Sequence, residues 1–304
     1  MSRRFQADLL LTLNALVWGS TFVLVKDALV ETSVFIYLAM RFVLAIAVLL
    51  LMYGRDLRNL PKGAYRAGLV IGCCMFSGYA FQTIGIHLTT PSKAAFITGF
   101  SVVLVPIFLG LFGRKRIHAA LWVGAAAALA GLYCVTVPTA GMGSLNSGDL
   151  LVLCCTVMYA LHIIAVGHYS PRYPAGALTL LQVGVTAIFT SAAIPLASVA
   201  HIERPRISWT PTLIAAVLIT GIFATALAFS AQVWAQQHTS SSHVAIIFSL
   251  EPVFAAITSY VFYHERMTGR VLLGAALILA GIFIAELRGP APTSAESSAA
   301  PSEI

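Results

Sequence analysis

Charge is what this sequence has least of. Asp, Glu, Lys and Arg together make up 10% of its 304 residues and hydrophobic residues 59%, whereas a soluble domain carries roughly 25% charged residues. A water-exposed surface cannot be built from so little charge. The apolar residues gather in runs of about 20, the length a helix needs to cross a bilayer. The formal net charge of +7 does not point to nucleic acid, because Lys and Arg sit in short clusters between apolar runs, as topology signals do. Cysteine is scarce too. All five, Cys73, Cys74, Cys134, Cys154 and Cys155, lie inside apolar runs, where they act as small hydrophobes and adjacent pairs are poor disulfide partners. Asp8 follows MSRRFQ almost at once and no A-x-A site comes after the first run. The start therefore reads as the basic flank of an uncleaved first helix, not as an export signal. Zinc, P-loop, Rossmann and nucleophile-elbow motifs are missing, so no metal or cofactor is expected.

The runs show no strand alternation, and a lipid-exposed backbone must satisfy its own hydrogen bonds, so each run is expected to be a helix. Apolar runs set against loops rich in Gly, Pro and charge give ten segments. The first five are Asp8 to Lys26, Val34 to Tyr53, Ala64 to Ile86, Ser92 to Phe112 and Ala119 to Val137. The second five are Gly148 to Gly167, Ala175 to Val199, Pro211 to Gln232, Ser242 to Tyr263 and Thr268 to Ala285. The SGD before the sixth supplies an N-cap. The tail 288–304 is Pro, Ala and Ser with scattered Glu, too poor in large apolar residues to fold, and is expected to be a disordered cytoplasmic extension.

The second five segments repeat the first. An offset of 150 residues superposes Gln82 on Gln232, Ser92 on Ser242, Ala95 on Ala245, Gly124 on Gly274 and Gly131 on Gly281. Earlier in the chain an offset of 141 matches Asp8 with Asp149, Trp18 with Tyr159 and Arg41 with Gln182. The expected fold is an all-α membrane protein of about ten transmembrane helices, an inverted repeat of two five-helix halves, 1–138 and 139–287. An odd number of spans per half forces opposite orientations, as in many secondary transporters. The clusters Arg55, Arg58, Lys62, Arg66 and Arg114, Lys115, Arg116 outweigh the scattered Lys26, Lys93, Arg204, Arg206, Arg266 and Arg270 of the other side. The positive-inside rule then puts both termini in the cytoplasm.

Depth follows from a rise of about 1.5 Å per residue through a core of about 30 Å. Trp18 and Tyr159 reach the midplane from opposite faces, and so do Glu251 and its repeat partner Ser101. Arg41 lies roughly 10 Å below the outer face and Gln182 roughly 10 Å above the inner one. Glu251, in FSLEPVF, is the most informative, because an ionisable group at that depth costs at least a few kcal/mol and should face protein or water with a partner. It reads as a proton-coupling or substrate-contacting carboxylate, or else as a structural charge. Pro252 should free backbone carbonyls one turn earlier and kink the helix. Arg41 is within reach as the partner, or could snorkel to the outer interface. His162 is a second proton-relay candidate, with a neutral interhelical hydrogen bond as its alternative. Trp18 and Tyr159 line an aromatic pocket or pack the core. Gly19, Gly72, Gly78, Gly85, Gly124, Gly131, Gly274 and Gly281 are expected to serve close helix packing, and His264, Glu265 and Arg266 to form a solvated turn.

The sequence resembles the EamA-like members of the drug/metabolite transporter superfamily. The resemblance rests on NALVWGSTF in the first helix, Arg41-Phe42, PSKAAFITGFSVVLVP in the fourth, and SLEPVFAAITSYVFYHERMTGRVLLGAALILAGI across the last two. It implies a ten-helix inverted repeat with a central cavity and alternating access, in relatives associated with amino acids, other metabolites and toxic compounds, often by export. One departure is GRKR at 113–116, where such proteins often carry an acidic residue; it leaves Glu265 without a repeat counterpart.

The function expected is a proton-coupled exporter of small organic metabolites, amino acid-like compounds or drugs, in the inner membrane. The substrate-cavity candidates are Trp18, Arg41, Ser101, Tyr159, Gln182 and Glu251, and the proton-coupling candidates are Glu251 and His162. The expected partners are a small-molecule substrate and the lipid bilayer, with a homodimer as a candidate assembly and no nucleic acid. A channel-like or sensory membrane protein is the alternative; an intramembrane enzyme would need a nucleophile, base or metal constellation that the sequence does not show.

Overall fold

The computed structural model describes residues 2–58, 60–89, 91–113, 118–137, 145–200, 203–263 and 268–288. The tail beyond Arg288, the GRKR cluster from Arg114 and the turn with Glu265 lie outside the described residues. Among the described residues the fold is helical, with one isolated β-bridge between Thr32 and Ile207. The helices are α1 (Arg3–Glu31), α2 (Val34–Tyr53), α3 (Lys62–Leu88), α4 (Pro91–Gly99), α5 (Ser101–Gly113) and α6 (Ala119–Thr136), followed by α7 (Ser147–Tyr169), α8 (Ala175–Val199), α9 (Pro211–Gly221), α10 (Ala228–Ala235), α11 (Ser241–Phe248), α12 (Glu251–Tyr263) and α13 (Gly269–Arg288). Among the described residues seven helical stretches are long and apolar enough to cross a membrane, and α1, bent by 42° between Thr21 and Val23, makes up to eight. Phe96–Leu111 and Gly269–Ile284 are shorter apolar helices. Their outer faces are apolar: Leu51 is 90% and Phe283 62% exposed, which suits lipid and not water.

Three breaks position the interior. α9 and α10 are joined by a π-helical turn, Ile222–Leu227. α11 ends and α12 begins at Ser249-Leu250, where the bonds shorten to Ser249 N–H to the Ile246 carbonyl and Leu250 N–H to the Ile247 carbonyl, 3.1 and 3.0 Å. Pro252, with no N–H to give the Phe248 carbonyl, falls in the first turn of the new helix, where proline is tolerated. α4 and α5 part in the same way at Phe100, whose N–H reaches the Ile97 carbonyl at 3.1 Å. No proline stands there, and Gly99, a poor helix former, precedes the break. At the start of α7 the cap is Asn146, and Asp149 closes a capping box with it, so the aspartate of SGD supports the cap without being it.

Glycines set how closely the helices approach. α6 and α13 cross where a Cβ on Gly274 would lie 2.6 Å from the Gly131 carbonyl oxygen and one on Gly281 2.6 Å from that of Gly124. Gly19 faces the Glu251 carbonyl, Gly78 the Tyr159 ring, Gly72 the Val185 side chain and Gly85 that of Val152. Backbones that meet this closely gain dispersion contacts in lipid, where no hydrophobic force acts between helices. Around these crossings α3 packs along α7 and α8, α1 along α9 and α10, and α2 along α8. α4 and α5 lie on α7, and α11 and α12 on α1.

Candidate functional site

Helices α1, α2, α3, α7, α10 and the two broken pairs enclose a cavity of about 1100 Å³, its open mouth included. Large aromatic side chains form part of its wall. Trp18, Tyr79, Tyr159, Phe229 and Phe248 line it, with Trp18 tilted on Phe229 at 5.5 Å and edge-on to Phe248 at 5.0 Å. Tyr79 meets Tyr159 at 5.7 Å and Phe229 at 6.3 Å. Contacts of this geometry add about 0.5–1.5 kcal/mol each beyond the area they bury, so the wall is firm before any solute enters.

Of the residues singled out from sequence, Trp18, Arg41, Ser101, Tyr159, His162 and Glu251 all line this cavity. Trp18 also satisfies its indole, Nε1 donating to the Ala224 carbonyl at 2.8 Å, and the Tyr159 hydroxyl donates to Gln82 Oε1 at 3.0 Å. Gln182 does not reach the wall. Fully buried, it stands behind His162, its Oε1 2.9 Å from His162 Nε2 and its own Nε2 without a partner among the described residues. His162 therefore both faces the cavity and makes the interhelical bond. Arg41 and Glu251 share the cavity but do not pair: Arg41 Nε donates to Thr225 Oγ1 at 2.7 Å, and Nη2 donates to the Tyr79 hydroxyl at 3.1 Å and the Ala224 carbonyl at 3.2 Å. The guanidinium also lies 4.8 Å from the Tyr79 ring centre. Among the described residues Glu251 is the one acidic side chain on the wall.

Tyr79, Gln82, Phe229 and Gln232 also line the cavity and were not singled out. A signal for two of them was present, because the 150-residue offset superposes Gln82 on Gln232. Tyr79 and Phe229 fall on each other at the same offset but differ in identity. Gln232 is oriented from behind: Gln236 Nε2 donates to the Ile163 carbonyl at 2.8 Å, so Gln236 offers its oxygen to Gln232 Nε2 at 3.0 Å. Gln232 Oε1 is left without a partner among the described residues.

Residues 5–137 and 146–287 each match the sequence profile of the EamA-like transporter family. The chain belongs to that family. A relative from Archaeoglobus fulgidus, named an uncharacterized transporter, is 36% identical over 94% of this chain and 87% of its own length. A Salmonella typhimurium relative named a probable amino-acid metabolite efflux pump is 25% identical over 90% of this chain and 92% of its own. A solved crystal structure superposes with a TM-score of 0.75, covering 92% of this chain and 96% of that one at 20% identity, and shows the fold alone. This EamA-like protein is thus a multi-pass membrane transporter, and the family brings with it a small-molecule substrate and contact with lipid.

Proposed function

We propose that this EamA-like protein is a secondary active transporter, a proton-coupled exporter of small organic metabolites such as amino acid-like compounds or drugs, working by alternating access. Its frame is a ten-helix inverted repeat in the inner membrane with both termini cytoplasmic. In that count α4 with α5, α9 with α10, and α11 with α12 each make one broken span. The observation that carries the reading is the pairwise origin of the cavity wall. At an offset of 141 Trp18 corresponds to Tyr159 and Thr21 to His162; at 150 Tyr79 corresponds to Phe229, Gln82 to Gln232, Thr98 to Phe248 and Ser101 to Glu251. All of these line the one cavity. A site shared by equivalent residues of two opposed halves is the arrangement expected for a carrier whose halves rock about a central solute.

The packing that is not duplicated supports alternating access. α11 packs against α5 and α7, whereas its counterpart α4 has slight or no contact with α12 and α1 among the described residues. With the termini inside, α11 lies on the cytoplasmic side, where His243 Nε2 also meets Asp8 Oδ1 at 3.1 Å and ties α11 to α1. The cavity is then closed to the cytoplasm and open outward, and exchanging the two arrangements would move the opening to the other side. A channel would favour a continuous polar lining; here aromatic rings interrupt the polar side chains. Export of metabolites, as in the name of the Salmonella relative, suits a cavity with one cation, one carboxylate and five aromatic rings.

Mass spectrometry of cells that overproduce or lack the protein tests the reading. The expected result is a small organic solute enriched in the medium on overproduction and retained on deletion; unchanged pools in both would count against transport. The orientation has its own check. A reporter active only outside the cytoplasm, fused after Arg288, should be silent.

A further inference from the structure

The π turn between α9 and α10 leaves one backbone carbonyl out of the helix ladder. The Ala228 N–H bonds to the carbonyls of Phe223 and Thr225 and passes over that of Ala224. A carbonyl freed inside a membrane helix needs another donor. Ala224 receives two, Trp18 Nε1 at 2.8 Å and Arg41 Nη2 at 3.2 Å. The next residue adds a third tie: the Thr225 hydroxyl donates to the Thr220 carbonyl five residues back at 2.8 Å and accepts from Arg41 Nε at 2.7 Å. The equivalent stretch of the first half lies within the unbroken helix α3, so the device belongs to one half only. Single π turns inside α-helices are frequent at functional sites.

The outcome is a cation held in place by neutral groups. Nε and Nη2 of Arg41 are taken by Thr225, Ala224 and Tyr79, the Tyr37 hydroxyl stands beside the guanidinium as well, and among the described residues no carboxylate pairs with it. Nη1 makes no hydrogen bond to protein among the described residues, and the side chain lines the cavity. A guanidinium fixed on two nitrogens by neutral groups is organised for an anion before the anion arrives, which raises affinity because little rotamer freedom is left to lose.

We propose that Arg41 is the anion subsite of the cavity, that it takes a carboxylate carried on an apolar or aromatic body, and that Thr225 is its positioning residue. The inference rests on reading the cavity as a solute site. The carboxylate lies on Arg41 Nη1 and the apolar body against Tyr79, Trp18 and Phe229. Glu251, on another part of the wall, stays free for a proton or for a cationic group of the same solute.

The test uses purified protein lacking the native cysteines, with Val25→Cys on the cavity wall and N-ethylmaleimide as a neutral label. The probes are 3-phenylpropionate, its neutral isostere 3-phenylpropanamide, and 2-phenylethylammonium. The carboxylate should protect the cysteine at a concentration at least roughly tenfold lower than the amide, the size of one charge-assisted hydrogen bond. Arg41→Gln should erase that preference. Thr225→Val, which keeps the shape and removes the hydroxyl, should weaken protection by the carboxylate about three- to tenfold and leave the amide unchanged; Thr225→Ser should restore it. A general loss of packing would weaken both probes alike and would overturn the positioning role. Protection by 2-phenylethylammonium alone, or by none of the three, would overturn the anion subsite and leave the transport reading to its own test. A cysteine at Val25 that never labels would overturn the cavity and the subsite together.

Discussion

In reconstituted vesicles Glu251→Gln is expected to abolish uphill, pH-driven transport while leaving solute exchange in place. Glu251 lines the cavity, and no ion pair or hydrogen bond to its carboxylate is present among the described residues. A charge near the midplane costs at least a few kcal/mol, so the carboxylate must be compensated by a proton or by a bound cationic group. If proton and solute compete for it, each conformation favours a different occupant, and the difference in binding free energy links proton entry to solute exit. Glutamine keeps shape and hydrogen bonding but cannot change charge. The accumulation ratio should then fall to about 1, because no coupling free energy remains. A folded Glu251→Gln protein that still concentrates solute in response to pH at the normal rate would leave Glu251 with a structural role, and His162 would become the group to examine.

Gly274→Leu should remove most of the folded protein from the membrane. A Cβ alone at this position lies 2.6 Å from the Gly131 carbonyl oxygen and 2.8 Å from a Val135 methyl, so the rigid backbone of α6 and not a flexible side-chain tip must give way. Overpacking costs about 1–3 kcal/mol even where neighbours can adjust, and a domain holds only about 5–15 kcal/mol in total. The folded fraction, read as the monodisperse peak after detergent extraction, should drop several-fold. Gly54→Leu serves as the control, since nothing lies within 4 Å of a Cβ there, and its yield should not change. Equal yields for the two variants would mean that the α6–α13 crossing is not a fixed seam.

Depth along a span was legible in the sequence; angle around it was not. Rise per residue brought Trp18, Ser101, Tyr159 and Glu251 to one level, and all four line the cavity. The same arithmetic put Arg41 within reach of Glu251, yet Arg41 turns toward Thr225 and Ala224. The partner was hidden because IFATAL reads as an ordinary apolar helix. Nothing in its hydrophobic pattern signals that Ala228 will pass over one carbonyl. Gln182 shows the opposite limit, since its depth was assigned but its contact with His162 depends on which side of α8 faces α7. The proline of SLEP marked a real break, while the matching break at Phe100 carries no such mark. Among the described residues seven or eight helical spans are long and apolar enough to cross a membrane, against the ten segments read from sequence, and Phe96–Leu111 and Gly269–Ile284 are shorter apolar helices.

Uphill movement of a solute through one cavity at the expense of a proton gradient is tested most directly with the purified wild-type protein in sealed vesicles. With the solute found by mass spectrometry equal on both sides, a pH gradient is imposed and solute is measured inside and out. Proton-coupled transport gives net movement toward one side, against the growing solute gradient, that collapses when a protonophore is added. Movement that only dissipates a solute gradient, at a rate indifferent to the pH difference, would contradict it.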